Sequence, residues 1–352
     1  DRKREVEPRN KAVPIHAFNL RTSALKTGIG IVWFILSKIL NQLSPKTYPI
    51  WFAYLEAQVF KHKLSVLEKQ KGRFDLIIFR GQGTFEHLWP LHDDRFVYVC
   101  ENIQKKHMYG RLSKWIFSKL FKNRNVVCVS EGAMNSFQDM IDTHDITPKS
   151  QCMISNPNDF RKIREDAAET IKPLHNKPYI LGLGRLAPQK NFTLLVEAYH
   201  QAIIQHGITQ DLVIVGSGRD KENIEKRITE LELQSRVHFK GQQNNPFPWY
   251  KQADLFVLSS KFEGLGMVLI ESLACGTKVV STNSKGGVKQ IMRGELAPFL
   301  SDETPQDLSD KINLALNTPS SKHFDAYVQE TLDRFDGKNI IEQYFTHFID
   351  GK

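Results

Sequence analysis

Two stretches of the chain carry residue types that can hold a charged, hydroxylated ligand. Gly184-Arg185-Leu186 follows a short apolar run, and Gln189-Lys190-Asn191 opens the amphipathic segment after it. A guanidinium and an ammonium five residues apart, at a strand end and a helix N-terminus, suit a diphosphate. Arginine grips two oxygens in a fork, lysine supplies a point charge, and the helix end adds partial positive charge. Further along, Glu263-Gly264-Leu265-Gly266 forms a glycine-bearing turn whose N–H groups can point at an anion or a hydroxyl. Glu271 follows about one turn into the next helical segment. Both carboxylates can face one crevice at the carboxyl edge of a sheet, where open α/β folds bind their ligands. Taken singly, such charged residues usually sit on the surface and do nothing more. The turn glycines and the strand on either side reverse that expectation for the glutamate pair.

The elements around them must supply that geometry. Leu255–Leu258 is a buried strand stopped by Ser259-Ser260, helical spacing runs from Met267 to about Gly276, and Lys278–Ser281 is the next strand. The second half alternates throughout: strand Tyr179–Leu183, helix from Phe192, strand Leu212–Val215, helix from Lys221, strand Val237–Lys240, and later strand Ala297–Leu300. Such alternation predicts a doubly wound parallel sheet. Gly216, Gly218, Lys240 and Gly241 fall at strand ends facing the same crevice. The first half is less regular. Asp1–Asn10 reads as a charged loop, Val13–Leu20 as a short strand, and Trp51–Lys71 as a helix. Phe74–Phe79 is a strand leading into a loop at Arg80-Gly81-Gln82-Gly83, Phe96–Cys100 is a strand ending at Glu101-Asn102, and Val126–Ser130 is another. Ile154–Asp159 is turn-rich, and Lys177-Pro178 reads as the linker between halves.

Glu263, the glycine turn and Glu271 eight positions on resemble the donor-binding signature of the retaining glycosyltransferases of family four, which have the GT-B fold. Gly184-Arg185-Leu186 with Gln189-Lys190-Asn191 resembles the same family's diphosphate clamp. The resemblance covers residues 179–293 well and the first half loosely, and Leu265 stands where relatives carry an aromatic. It implies two Rossmann-like doubly wound domains facing a central cleft: residues 1–176 for the acceptor, 177–330 for the donor, and a helix over 331–352 crossing back to the first. By the same resemblance Arg185 and Lys190 hold the diphosphate, with Gly184, Gly216 and Lys240 lining the donor site. Glu271 takes the ribose hydroxyls, and Glu263 with the backbone of Gly264, Leu265 and Gly266 contacts the sugar. Glu101 stands where many relatives place a catalytic histidine, with His107 nearby; a plain ion pair between Glu101 and Lys105 is the competing reading. The implied donor is a nucleotide sugar carrying UDP, and the implied acceptor a lipid-linked glycan, a lipopolysaccharide or a polysaccharide. No cofactor or metal is expected, because the cations serve the phosphates; Asp93-Asp94 reads as a solvated turn. The strand, glycine loop and helix that open such enzymes have no counterpart, and the chain begins at Asp1 rather than Met, so a missing initial segment is expected. Two other classes stay open: a non-catalytic nucleotide-sugar-binding subunit, and a GT-B epimerase that needs no acceptor.

At 352 residues the chain can form two domains with sizeable cores, and 41% hydrophobic and 25% charged residues are ordinary for a globular protein. Four scattered cysteines without a CxxC pair suggest free thiols in a reducing compartment. The net charge of +9 comes from one side. Residues 1–172 hold 28 lysines and arginines against 18 acidic residues, and residues 173–352 hold 20 against 21. A one-sided basic surface points to a polyanion, and with no nucleic-acid-binding motif the expected partner is an anionic membrane. Gly28–Leu43 is the most apolar stretch, flanked by Arg21, Lys26, Lys38 and Lys46, and reads equally as a core helix or an interfacial one. In Tyr109–Arg124, Phe117 and Phe121 widen the apolar arc, so Trp115 with Lys114, Lys119 and Lys122 reads as a membrane contact or as part of a core helix with a solvated back, and the charge asymmetry favours the membrane. The expected location is the cytoplasm, peripheral to the inner face of the cytoplasmic membrane; oligomeric state is open.

Overall fold

The computed structural model describes His16 and residues 19–350, apart from residues 27, 44, 46 and 171. The expected loop Asp1–Asn10 and most of the strand Val13–Leu20 fall outside the described residues; Leu20 itself opens helix α1 (Leu20–Leu25). Helices α2 (Gly28–Leu43) and α3 (Tyr48–Lys71) follow. α3 starts with a proline in its first turn, where no N–H is missed, and stops at Gly72 with φ 87°. Next come β1 (Ile77–Arg80), α4 (Gln82–Leu88), β2 (Phe96–Cys100), α5 (Ser113–Phe121), β3 (Asn125–Cys128), α6 (Glu131–His144) and β4 (Ser150–Met153). The four strands pair in the order β1-β2-β3-β4, all parallel. β2 and β3 are buried along their whole length, as valine-rich strands covered on both faces must be.

Helix α7 (Phe160–Ala168) leads into a second parallel sheet. β5 (Tyr179–Leu183), α8 (Phe192–His206), β6 (Asp211–Val215), α9 (Lys221–Glu230) and β7 (Val237–Phe239) wind one way. After α10 (Phe247–Lys251) the chain crosses to β8 (Leu255–Leu258) on the other side of β5, then to β10 (Val279–Thr282) and β12 (Leu300–Ser301). The order is β12-β10-β8-β5-β6-β7, so the winding reverses between β5 and β8. That switch point opens a crevice at the carboxyl ends of these two strands. Between β8 and β10 lie β9 (Phe262–Glu263) and α11 (Met267–Ala274); after β10 come β11 (Lys285–Gly286), which pairs with β9, and α12 (Val288–Ile291). Helices α13 (Pro305–Asn317), α14 (Lys322–Asp333) and α15 (Gly337–Phe345) follow, and a π-helical turn, Thr346–Asp350, ends the described residues. Phe335 accepts from the Asn158 backbone at 3.2 Å and Gly337 donates to Asn158 at 2.8 Å. Tyr344 of α15 lies within electrostatic reach of Arg80, Glu101 and Cys152, at the first sheet.

Several elements differ from the sequence reading for physical reasons. The strand expected from Phe74 begins only at Ile77, since Phe74 is exposed. Gly81 was expected in a loop; with φ 80° it turns the chain directly into α4. The long helix expected over Tyr109–Arg124 is a 3₁₀ turn, Gly110–Leu112, followed by the shorter α5. Ala297–Leu300 is mostly a 3₁₀ turn containing Pro298, which lacks a ladder donor, and the strand is confined to Leu300–Ser301. The surplus apolar face assigned to α5 is core: Phe117 and Phe121 are fully buried. It is α2 that exposes an apolar stripe, made by Ile29, Ile31, Val32, Ile35, Leu36 and Ile39. Its other side is fixed by a Trp33 Nε1 hydrogen bond to the Trp51 carbonyl (2.8 Å) and by Phe34 packed on Tyr48 and Phe52. Among the described residues no helix is long and apolar enough to cross a membrane.

Candidate active site

The crevice at the switch point gathers the residues singled out by chemistry. Lys190, just before α8, donates to Glu263 Oε1 at 2.7 Å, and Ser260 Oγ donates to the same oxygen at 2.5 Å. Both side chains are largely enclosed, 14% and 10% exposed, so the ion pair is held in place rather than waving in solvent. The lysine loop is sewn to the glutamate loop by three more bonds. Gln189 Nε2 donates to the Phe262 carbonyl (2.8 Å), the Lys261 N–H to Gln189 (2.9 Å), and Ser259 Oγ to the Lys190 carbonyl (2.9 Å). The β9–β11 pairing then fixes Glu263 from the other side, where Gly286 has φ 116° and a Cβ would lie 1.7 Å from the Glu263 carbonyl oxygen.

Arg185 stands exposed at the end of β5, beside the Lys190 stem that runs over Gly184. Gly216 and Gly218 let the next turn press onto this one: a Cβ on either would fall 1.9 Å from the Gly184 oxygen and 2.2 Å from the Leu186 oxygen respectively. Lys240 extends β7, with its ammonium 6.0 Å above the Trp249 ring. Gly266, with φ 96°, turns the chain into α11. Glu271 sits one turn inside that helix, where the buried Tyr250 hydroxyl faces Oε2 at 3.4 Å. Burial, and then the Glu271 charge, push the Tyr250 phenol up, and the same two causes raise Cys275 to about 12. The glutamate's negative charge is thus felt by two neighbours, the buried Tyr250 and the half-buried Cys275.

The first half meets this crevice directly. Gly264 lies against Glu101, so closely that a Cβ would come 1.9 Å from the Glu101 carbonyl oxygen. Ser130, which caps α6, donates from Oγ to the Gly264 carbonyl at 2.5 Å. Gly132 similarly touches Gly286, and the Glu131 N–H donates to Gln290 Oε1 at 3.2 Å. Glu101 does not pair with Lys105 as the competing reading had it. Arg80 holds it, through Nε at 2.8 Å and Nη2 at 2.6 Å, while Nη2 also donates to Asn156 Oδ1 at 2.7 Å. Adjacent parallel strand ends place these two side chains together, a pairing that sequence separation hides. Ser260, Ser130, Gly286 and Arg80 carry no site role in the sequence reading, and Gln189 enters it only as part of the clamp motif; Ser260 was within reach of it, as the polar residue bordering the second motif. Asp93 and Asp94 are engaged by Arg95 and Lys149, and Trp115 is 40% exposed with Lys114, Lys119 and Lys122 around it.

Residues 164–331 match the family of glycosyl transferases group 1. The N-acetylgalactosamine-N,N'-diacetylbacillosaminyl-diphospho-undecaprenol 4-alpha-N-acetylgalactosaminyltransferase of Campylobacter jejuni is 33% identical over 187 residues, 53% of this chain and 49% of that protein. The lipopolysaccharide core biosynthesis glycosyltransferase LpsE of Rhizobium meliloti is 36% identical over 126 residues, 36% of this chain and 35% of the relative. The chain thus spans about half or less of the length of these curated relatives. The crystal structure of Anabaena Alr3699/HepE with UDP and glucose aligns over 80% of this chain and 79% of its own, with TM-score 0.63 and 19% identity. The two Rossmann-like halves facing a cleft are those of the GT-B fold.

Proposed function

From a chain whose residues 164–331 belong to the group 1 glycosyl transferases, we propose a retaining glycosyltransferase that uses a nucleotide sugar, a UDP-sugar in the first instance. The observation that carries the reading is the enclosed Lys190–Glu263 pair at the switch point, facing Glu101 of the first half across Gly264. Lys190 and Arg185 take the diphosphate and neutralise the charge that grows on it as the bond to the sugar breaks, the largest catalytic term available to such a site. With two cations there, the phosphates need no divalent metal. Ser260 and Lys190 occupy one oxygen of Glu263, which leaves the carboxylate aligned toward the sugar hydroxyls. Glu271, steadied by Tyr250, takes the ribose. The acceptor enters from the first half, past Glu101 and Arg80, and its hydroxyl oxygen attacks on the face that the diphosphate leaves, giving its proton to the departing diphosphate oxygen.

The relatives named above act on a diphospho-undecaprenol glycan and in lipopolysaccharide core assembly, which supports a lipid-linked or polysaccharide acceptor here. The exposed apolar stripe of α2, edged by Arg21, Lys26 and Lys38, supports a peripheral seat on an anionic membrane; the cytoplasmic face is the side proposed. α2 carries the insertion, and the α5 group around Trp115 borders it. The test is nucleotide release. Free UDP appears on mixing donor with acceptor-bearing lipid extract, and Lys190→Ala and Glu263→Ala abolish it. Release that does not depend on acceptor points to hydrolysis or epimerisation instead, and binding without release to a non-catalytic subunit.

A further inference from the structure

At the opposite edge of the second sheet, three side chains from separate parts of the chain converge. Asp211 opens β6 and is almost wholly buried. Its Oδ2 faces His175 Nε2 at 3.0 Å and His238 Nε2 at 3.2 Å. His175 comes from the segment before β5, and His238 from β7, whose register against β6 sets it beside Val213. The three possible ligand atoms all lie within 4.8 Å of one another. Tetrahedral zinc bonds of about 2.0–2.2 Å give ligand–ligand edges of roughly 3.2–3.6 Å by simple geometry. The His–Asp edges of 3.0 and 3.2 Å lie just below and at the lower end of that range and the third edge lies within 4.8 Å, so the side chains need spread by only a few tenths of an ångström and turn from Oδ2 to a shared point.

We propose that His175, Asp211 and His238 form a binding site for a divalent transition metal of the zinc class. Two histidines and a carboxylate, one atom each, are a donor set that such ions accept with water in the fourth position. The outer support is present. Arg236 Nε donates to the other carboxylate oxygen, Oδ1, at 2.9 Å and is itself anchored by the Gln210 carbonyl at 2.8 Å, which fixes the carboxylate's orientation. Access is also present: the His238 side chain is 31% exposed, and His175 borders an open cavity with Lys177 and Asp254. In the metal-free protein each Nε2–H donates to Oδ2; on binding, each neutral imidazole moves its proton to Nδ1 and turns the Nε2 lone pair to the metal. Arg236 and Lys177 draw on the same carboxylate, so the affinity is moderate, and transition metals that favour imidazole are preferred over calcium or magnesium. The site lies at the start of β6, whereas Gly216 follows its end, roughly 15 Å away at about 3.3 Å per residue. It is therefore separate from the diphosphate crevice, and its effect is to tie the segment before β5 to the edge of the sheet.

The experiment uses the full chain stripped with EDTA and titrated with Co²⁺, then with Zn²⁺ in competition. The expected result is a visible d–d absorption of tetrahedral cobalt that saturates at one equivalent and is removed by zinc. His238→Ala, a partly exposed position, weakens cobalt binding at least tenfold while the circular dichroism melt without metal stays close to wild type. His323→Ala, a similar change at a histidine exposed elsewhere, leaves binding as it was. No tetrahedral signal in the wild type, or equal binding in His238→Ala, overturns the proposal.

Discussion

Gly264→Ala separates donor binding from the meeting of the two halves. The added Cβ would lie 1.9 Å from the Glu101 carbonyl oxygen and 3.1 Å from its carbon, against an ordinary contact of 3.4 Å or more. Both opposing atoms are backbone, so no flexible side chain can swing aside. Gly264 is not among the glycines with positive φ, and alanine therefore fits its own backbone; the whole cost falls on the contact between halves. Relieving it moves them apart by about the shortfall between 3.4 and 1.9 Å. It also stretches the 2.5 Å bond from Ser130 Oγ to the Gly264 carbonyl. Overpacking of this kind costs about 1–3 kcal/mol, which lowers the ratio of the closed arrangement to the open one about 5–150-fold. The Lys190, Glu263 and Glu271 contacts all belong to the second half and stay in place. In a UDP-release assay kcat/KM is expected to fall by that factor, while UDP affinity by calorimetry changes less than about twofold, well under the tenfold that 1.4 kcal/mol represents. Unchanged kcat/KM would refute the contact as part of the productive state. A parallel loss of UDP affinity would show that the turn itself, not the meeting of halves, was disturbed.

Two further outcomes follow from the first half. Val32 and Ile35 are 69% and 55% exposed on α2, so Val32→Glu with Ile35→Glu leaves folding intact. Each buried aliphatic contributes about 1.5–3 kcal/mol, so sedimentation with anionic vesicles should show at least a tenfold loss of binding, and unaltered binding would remove α2 as the membrane face. His87 of α4 pairs with the buried Glu56 of α3; this hydrogen bond raises its pKa above 6.5 despite the burial that opposes it. A raised folded value means the stabilisation is complete below the unfolded histidine's pKa and is lost as pH rises through the folded one. Urea melts should therefore show stability falling from near-neutral to alkaline pH, and a His87→Gln variant lacking that slope.

Periodicity made the second half legible: its valine-rich strands and the glycines ending them announce a parallel sheet and the strand ends where a ligand binds. The Arg185–Lys190 and Glu263–Glu271 spacings were readable because each lies within one strand–turn–helix unit. β4 was not. Its sequence, Ser150-Gln151-Cys152-Met153, is a largely exposed edge strand with no apolar run to mark it. Phe117 and Phe121 misled because helical spacing reports how wide an apolar arc is, not whether protein or lipid covers it. The Arg80–Glu101 pair and the Ser130–Gly264 bond join residues 21 and 134 positions apart, which only the sheet order and the meeting of the halves bring together. The His175–Asp211–His238 cluster was hidden for the same reason.

The central claim is that the crevice between β5 and β8 binds a nucleoside diphosphate. Its most direct test is a thermal shift with UDP, GDP, ADP and CMP on wild type and on Glu271→Ala. A ligand at 100 times its dissociation constant stabilises by about 2.7 kcal/mol, and each kcal/mol moves the midpoint of a unit of this size by about 2–4 °C. UDP should raise the midpoint of the wild type by several degrees, and the rise should vanish in the variant. No rise with any nucleotide, or an equal rise in both proteins, would contradict the claim.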